Sequence, residues 1–359
     1  IRVPSRPHLT IPPNYGIIIT TARSKMLNKN LWEMYQTLPY TNKQVADQIG
    51  INIGTVKRWE KLQEVPSDYY FDFCRMLNIQ PDLSDFDYTE KDQFFTKPET
   101  AKYCIGIAHK IIQNFGDNPK EYTHIEPSAG SGAFYTQLPH PKIGIDIEPK
   151  VDGVTAGDYL TWEPQKQEKC LVIGNPPFGL RGHTALNFIN HSQYADYVAF
   201  ILPQSFDSNG KGSTKGRVKG FNLLHTEKIS NAFVFPDGKD VSVNCVFQVW
   251  SKHHKIEEKT IDISHKIKIY SLSDGGTPGS TRNKNKLYAC NYYLPSTVFG
   301  SNKMKLYYNF EELPGRRGYG IITKDNTINN IIENITWDKE AFVSTNNAYN
   351  LRFDIIEKS

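Results

Sequence analysis

Residues 171–178 read Leu-Val-Ile-Gly-Asn-Pro-Pro-Phe: an apolar run ends in glycine, and an amide, two prolines and an aromatic ring follow. Asn175 offers a side-chain acceptor. Pro176 has no N–H and precedes a second proline, Pro177, so it is held extended and its carbonyl turns outward. Phe178 adds a flat apolar face. Two acceptors beside an aromatic plate suit a planar ring carrying an exocyclic NH2 group. Adenine is the foremost such ring, with the chemistry on that nitrogen.

Such a loop needs a reactive partner, and the residues upstream suggest one. His124-Ile-Glu-Pro-Ser-Ala-Gly-Ser-Gly-Ala-Phe134 reads as a strand, a tight glycine loop and a helix. Gly130 and Gly132 let backbone approach a ligand closely. Glu126 at the strand end disfavours phosphate and suits an ammonium group. The next strand ends in Ile143-Gly-Ile-Asp-Ile-Glu148, where an acid is placed to hold a ribose diol; Asp146 is the better choice and Glu148 the next. Asp158 ends a third element and is positioned to accept from an adenine amino group.

Together Glu126-Pro-Ser-Ala-Gly-Ser-Gly, Asp146, Asp158 and Asn175-Pro-Pro-Phe178 resemble the successive motifs of S-adenosylmethionine-dependent DNA amino-methyltransferases. Phe94-Phe-Thr-Lys-Pro98 resembles the segment that closes over the methionine end of the cofactor, and Val234-Phe235-Pro236 a later motif whose aromatic packs on the flipped base. The motif order, with a large C-terminal extension last, is similar to the γ group, and the match covers roughly residues 94–250. Family members often carry Tyr where Phe178 stands, which keeps the stacking face without the hydroxyl. The resemblance implies an adenine-specific DNA methyltransferase with S-adenosyl-L-methionine as cofactor. It implies cofactor contacts from Phe95, Thr96, Glu126, Ser128, Gly130, Gly132, Asp146, Ile147, Asp158, Tyr159, Asn175 and Pro177. The catalytic set would be Asn175, Pro176, Pro177 and Phe178, with Phe178 and Phe235 stacking on a base rotated out of the duplex.

The elements that must position these groups follow from pattern. Residues 94–254 alternate apolar strands with turns and helices, as in a doubly wound, Rossmann-like α/β methyltransferase sheet. Its expected strands are Tyr122–Glu126, Lys142–Ile147, Cys170–Gly174, Tyr197–Leu202, Ile229–Phe235 and Asn244–Trp250. Residues 28–83 read as a small helical domain. Thr41-Asn-Lys-Gln44 is a capping-box start, Val45, Ala46 and Ile49 share a face, and Gly50 breaks the run. Val56, Trp59 and Leu62 then line a second helix that carries Lys57 and Arg58. This pair resembles the repressor-type helix-turn-helix. Residues 1–27, with four prolines, read as an extended arm and 84–93 as an acidic linker. Residues 255–359 form a mixed, β-rich domain expected to recognise the target.

Composition narrows the setting. The 359 residues include 20 Tyr and 19 Phe, too many for a disordered chain, and no apolar run approaches the ~18 residues that span a bilayer. Nothing at the N-terminus resembles a secretory signal, and a start without Met is expected of a trimmed chain. The five scattered cysteines, without CxxC or zinc spacing, point to reduced thiols, a cytoplasmic setting (prokaryotic or phage-encoded) and no structural metal. Net charge is only +4, but residues 251–359 hold sixteen basic against twelve acidic side chains and so carry the whole excess. Candidate DNA contacts are Lys211, Lys215, Arg217 and Lys219 in a Gly/Ser-rich loop, then Arg282 and Lys284, Arg316 and Arg317, and Lys57 and Arg58 on the helix. Double-stranded DNA is the expected partner, and the family leaves room for a cognate restriction endonuclease. His109, His124, His140, His183 and His191 lack partners at catalytic spacing and read as structural or surface histidines. Rival readings are methylation of RNA adenine N6 or of a protein glutamine amide, and a DNA-binding regulator with an inactive core; cytosine N4 offers the same amine chemistry.

Overall fold

A computed structural model describes residues 31–79, 94–165, 169–179, 182–207, 213–235, 238–241, 243–257, 265–273, 289–299, 303–308, 317–343, 348–351 and 356. Two compact units divide the chain, one of Thr20–Lys259 and one drawn mainly from Thr260–Ser359.

In the first unit, helix α1 covers residues 31–37, followed by α2 (Asn42–Ile49), α3 (Ile53–Leu62) and α4 (Tyr70–Leu77). Thr41 and Gln44 make the reciprocal capping box, and Gly50 closes α2 in the left-handed region at φ 77°. Val45, Ala46, Ile49, Val56, Trp59 and Phe73 share one buried cluster. Leu62 does not join it. As the last residue of α3, beside a left-handed Gln63, it is 55% exposed.

A seven-stranded sheet follows. Its strands are β2 (Thr123–Glu126), β3 (Lys142–Asp146), β4 (Val154–Ala156), β5 (Cys170–Gly174), β6 (Tyr197–Pro203), β7 (Asn222–Ile229) and β10 (Cys245–Ser251), in spatial order 4-3-2-5-6-10-7. β2 to β6 run parallel, whereas β10 is antiparallel to both its neighbours. Counted from β2, the parallel part has the order 3-2-1-4-5 of a doubly wound sheet, so its direction of winding reverses between β2 and β5.

β5 is buried along its whole length, as a central parallel strand must be. Leu171 and Ile173 face one core, with Ala101, Cys104, Ala108 and Ile112 of α5 (Pro98–Asn114). Val172 faces the other, with Ala185, Leu186 and Ile189 of α6 (His183–His191). Apolar cover on both faces is the doubly wound layering. The large mixed sheet therefore matches the expected fold class.

Three local expectations are corrected. The glycine loop after β2 leads into a single 3-10 turn, Tyr135–Gln137, rather than an α-helix, and the following Pro139 and Pro141 leave no room for a longer one. The run Ile229–Phe235 is not one strand. Ile229 ends β7, Asn231 turns at φ 53°, and β8 (Phe233–Val234) pairs instead with β1 (Phe95–Thr96) and β9 (Asp240–Val241). The short β4 and the eight-residue β7, whose polar residues alternate on an exposed edge, escaped the reading of apolar runs.

In the second unit, β11 (Ile267–Ser273), β14 (Arg317–Thr323) and β12 (Tyr292–Pro295) form one antiparallel sheet. β13 (Thr297–Val298), β16 (Tyr349–Asn350) and β15 (Phe342–Val343) form a smaller one. Helices α7 (Asn326–Asn334) and α8 (Trp337–Glu340) complete the unit, and Ile332 and Trp337 pack with Leu294 and Ile321 in its own core.

Candidate active site at the strand switch

Open α/β sheets bind ligands in the crevice outside the carboxyl ends of the strands, at the point where the winding reverses. Here that point lies between β2 and β5, and the two strands deliver Glu126 and Asn175 to it side by side. A Cβ built on Gly174 would come 3.3 Å from Glu126 Cγ.

Two buried acceptors stand open at this point. Asn175 donates its Nδ2 hydrogen to the Phe94 carbonyl at 3.4 Å, which assigns Oδ1 as the other end of the amide. That Oδ1 is buried and has no hydrogen-bond partner among the described residues. Glu126 is 2% exposed, and its Oε2 is equally without a partner there. Burial pushes the Glu126 carboxyl well above the usual glutamate range; the Tyr135 backbone and Lys142 oppose this, and Asp146 adds to it. A buried polar atom without a partner costs free energy, and of those among the described residues these two lie at the strand switch, which makes them candidates to meet a ligand's donors.

The glycine loop is fastened around them. Ser128 Oγ donates to the Asn175 carbonyl at 3.0 Å and so ties this loop to the Asn-Pro-Pro-Phe loop. Gly130 N donates to Asp146 Oδ2 at 2.7 Å, and Glu148 N to Oδ1 at 2.8 Å. Burial raises the Asp146 carboxyl pKa above its ordinary value, against these two backbone donors. Ile147 beside it is an apolar side chain 46% exposed. Gly132, at φ 82°, has no room for a side chain: a Cβ there would meet Val151 Cγ2 at 2.6 Å.

The segment around Phe95 closes over this loop. Thr96 pairs with Phe233, and the Phe95 ring lies 3.6 Å from where a Gly130 Cβ would be, with Lys150 Nζ 5.5 Å from the ring centre. Phe94 to Pro98 thus reaches both loops, although it precedes them in the chain. Pro176 is buried, and Pro177 and Phe178 are half-buried.

Other expected residues lie differently. Phe235 is 4% exposed in the core, its ring 5.9 Å from that of Phe94, whereas Phe178 meets the edge of Phe233 at 6.2 Å. Phe233, two residues earlier, is the ring whose edge Phe178 meets. Tyr159 turns its ring into the second core and bonds Ser192 Oγ at 2.7 Å and Tyr194 Oη at 2.8 Å. Asp158 caps the 3-10 turn Tyr159–Thr161 through Leu160 N and also accepts from Arg75. Sequence reasoning missed Arg75, the Phe94 carbonyl and Phe233. Only Phe233 had a local signal, as the alternate aromatic of its own run.

Lys57 and Arg58 are exposed on α3. Arg217, Lys219 and Arg317 are exposed, and Lys215 is half-buried. Asn190 at the end of α6 anchors the Lys215–Lys219 segment by bonds to Arg217 O and Lys219 N. Lys211, Arg282, Lys284 and Arg316 lie outside the described residues, as do the arm, the linker and Pro236. His109 and His124 meet at 2.9 Å between α5 and β2, where burial and the neighbouring ring push His124 down to about 4. All five cysteines are buried thiols. Among the described residues no group of three His, Cys, Asp or Glu could hold a metal ion, and no helix is long and apolar enough to cross a membrane.

No family model matches the chain, and no curated protein does. Among solved structures the chain is similar to a provisional RNA methyltransferase from Pyrococcus horikoshii, at 20% identity over 45% of this chain and 87% of that one, with a TM-score of 0.33. It is similar to 23S rRNA methyltransferase ErmE at 13% identity, over 47% and 74%, with a TM-score of 0.32. It is also similar to the type IIG restriction endonuclease BpuSI at 14% identity, over 49% and 26%, with a TM-score of 0.33. At these scores the likeness carries no weight beside the strand order and the site geometry.

Proposed function

We propose that this chain transfers a methyl group from S-adenosylmethionine to the N6 amino group of adenine in DNA. The observation that carries the reading is the buried, unpartnered Oδ1 of Asn175, beside Pro176 and the Phe178 ring at the strand switch. The same crevice fits the cofactor. The open Glu126 oxygen suits its ammonium, Asp146 its ribose diol, and the exposed Ile147 side chain its adenine face. When bound, the cofactor supplies an electrophilic methyl group on sulfur.

The protein's own groups do the rest. Asn175 Oδ1 and the Pro176 carbonyl accept the two hydrogens of the target amine, and so keep its lone pair on nitrogen and out of the ring. Phe178 stacks on the base, a contact worth ~1–3 kcal/mol that offsets part of the cost of unstacking it. Orientation and matched electrostatics carry the rate, with no covalent enzyme intermediate.

DNA is favoured as the source of the amine by Lys57 and Arg58, exposed on the second helix of a capped helix–glycine–helix pair, and by the basic excess of residues 251–359. The test supplies labelled S-adenosylmethionine with duplex DNA, single-stranded RNA and a glutamine-bearing protein in parallel. Label is expected on DNA. Label confined to RNA or to protein would move the substrate, and label on none would overturn the reading.

A further inference from the structure

The helices α1–α4 do not hang from the catalytic unit; they are built against it at two points. The turn after α2 packs on the start of α6, where a Cβ on Gly50 would come 3.1 Å from His183 Cε1. From α4, Arg75 reaches across to Asp158: its Nη1 donates to Asp158 Oδ2 at 3.1 Å, while its Nη2 pairs with Asp72 one turn earlier. Leu160 N donates to the second Asp158 oxygen at 2.9 Å. Both oxygens of Asp158 are thus assigned and its rotamer is fixed, yet each carboxylate oxygen keeps a lone pair for a further donor. An open groove lies at this junction, lined by Gln48, Asp72, Arg75, Leu160, Asn187 and His191 among others.

We infer that Arg75 is a positioning residue for the cofactor: it aims the Asp158 carboxylate at the adenine amino group and makes the helical segment a working part of the cofactor site. This rests on the reading of Asp158 as the adenine acceptor given above. Asp72 matters because it holds the other terminal nitrogen of the guanidinium, so that both Nη1 and Nη2 have a carboxylate partner.

The inference has a signature that a purely structural salt bridge lacks. Arg75 acts through one acceptor on one amino group, so its removal must weaken ligands that carry the 6-amino group and spare those that do not. The experiment measures the dissociation constants of S-adenosylhomocysteine and its 6-oxo analogue, S-inosylhomocysteine, by calorimetry. It uses the full chain in wild-type, Arg75→Ala, Arg75→Lys, Asp158→Asn and Arg75→Ala/Asp158→Asn forms, with thermal melts as a check on folding.

Wild type is expected to prefer the adenosyl ligand. Arg75→Ala should lose about fivefold on that ligand and little on the inosyl one, in keeping with a half-exposed ion pair. Arg75→Lys should recover part of the loss, and Arg75→Ala should add nothing in an Asp158→Asn background. Equal losses on both ligands, or no loss on either, would overturn the inference and leave the proposed function intact. A wild-type protein that binds neither ligand would overturn both.

Discussion

The two flanks of the strand switch treat their acidic and amide groups in opposite ways. On the β2–β5 flank, Glu126 and Asn175 each keep a buried oxygen with no partner among the described residues. On the β3–β4 flank, Asp146 is held by two backbone donors and Asp158 by Leu160 N and Arg75. The first pair bears the cost of buried acceptors left open. The second pair is fully positioned in advance. Under the proposed function, the groups assigned to the cofactor's ammonium and the target amine are the open ones, and those assigned to its sugar and ring edge are fastened by the protein. Chemistry and recognition are thus separated along one sheet edge.

The largest expected effect breaks the open side. Asn175→Ala removes the acceptor aimed at the target amine, and kcat should fall by roughly 10²- to 10³-fold, the scale set by deleting one preorganised group at a reacting centre. Cofactor affinity should stay within about twofold, since the loss is confined to the transition state. Comparable losses in kcat and in cofactor affinity would place Asn175 on the cofactor instead.

Glu126→Gln comes next. An ammonium held by a buried carboxylate loses a charge-assisted partner, so S-adenosylhomocysteine should bind roughly 10- to 100-fold more weakly. The variant also reports on pH. The raised carboxyl pKa means that the unliganded fold is helped by the protonated form; that stability is full below the ordinary glutamate value and is lost as pH rises through the raised one. Ligand binding runs the other way, because the ammonium needs the ionised form. Affinity in wild type should therefore tighten as pH rises across that window. In Glu126→Gln the pH dependence should vanish while the unliganded protein melts at a higher temperature. A wild-type affinity flat with pH would contradict the open-carboxylate assignment.

On the fastened side the effects should be smaller and should appear in stability as much as in binding. Asp146→Ala leaves the Gly130 and Glu148 N–H groups without their acceptor, which should cost about 1–3 kcal/mol in urea unfolding and close to tenfold in cofactor affinity. Asp158→Asn keeps an acceptor but removes the charge that pairs with Arg75, and about a fivefold loss in affinity is expected, no smaller than that of Arg75→Ala. If Asp158→Asn proved costlier than Glu126→Gln, the contrast between the flanks would be reversed.

Much of this was legible in the chain because it depends on local pattern. Cys170–Gly174 is a continuous apolar run closed by glycine, and it is a strand with those bounds. Thr41 and Gln44 cap α2 as their spacing requires. The sequence was enough to set Glu126, Asp146 and Asn175 at strand ends, and the sheet order makes those three strands neighbours. What was not legible depends on distant segments. Arg75 is 83 positions from Asp158, and no local signal links them. Phe233 and Phe235 share one aromatic run, and the edge contact of Phe233 with Phe178 follows the turn at Asn231 and the pairing of β8 with β1. The length of the connection after the glycine loop was set by its prolines, which the glycine pattern alone does not weigh.

The most direct test of the central claim is nucleoside mass spectrometry of duplex DNA incubated with the protein and methyl-labelled S-adenosylmethionine, run beside Asn175→Ala. The account predicts labelled N6-methyldeoxyadenosine with wild type and loss of that product with the variant. Label on cytosine N4, or the same adenine product formed at the wild-type rate by Asn175→Ala, would contradict it.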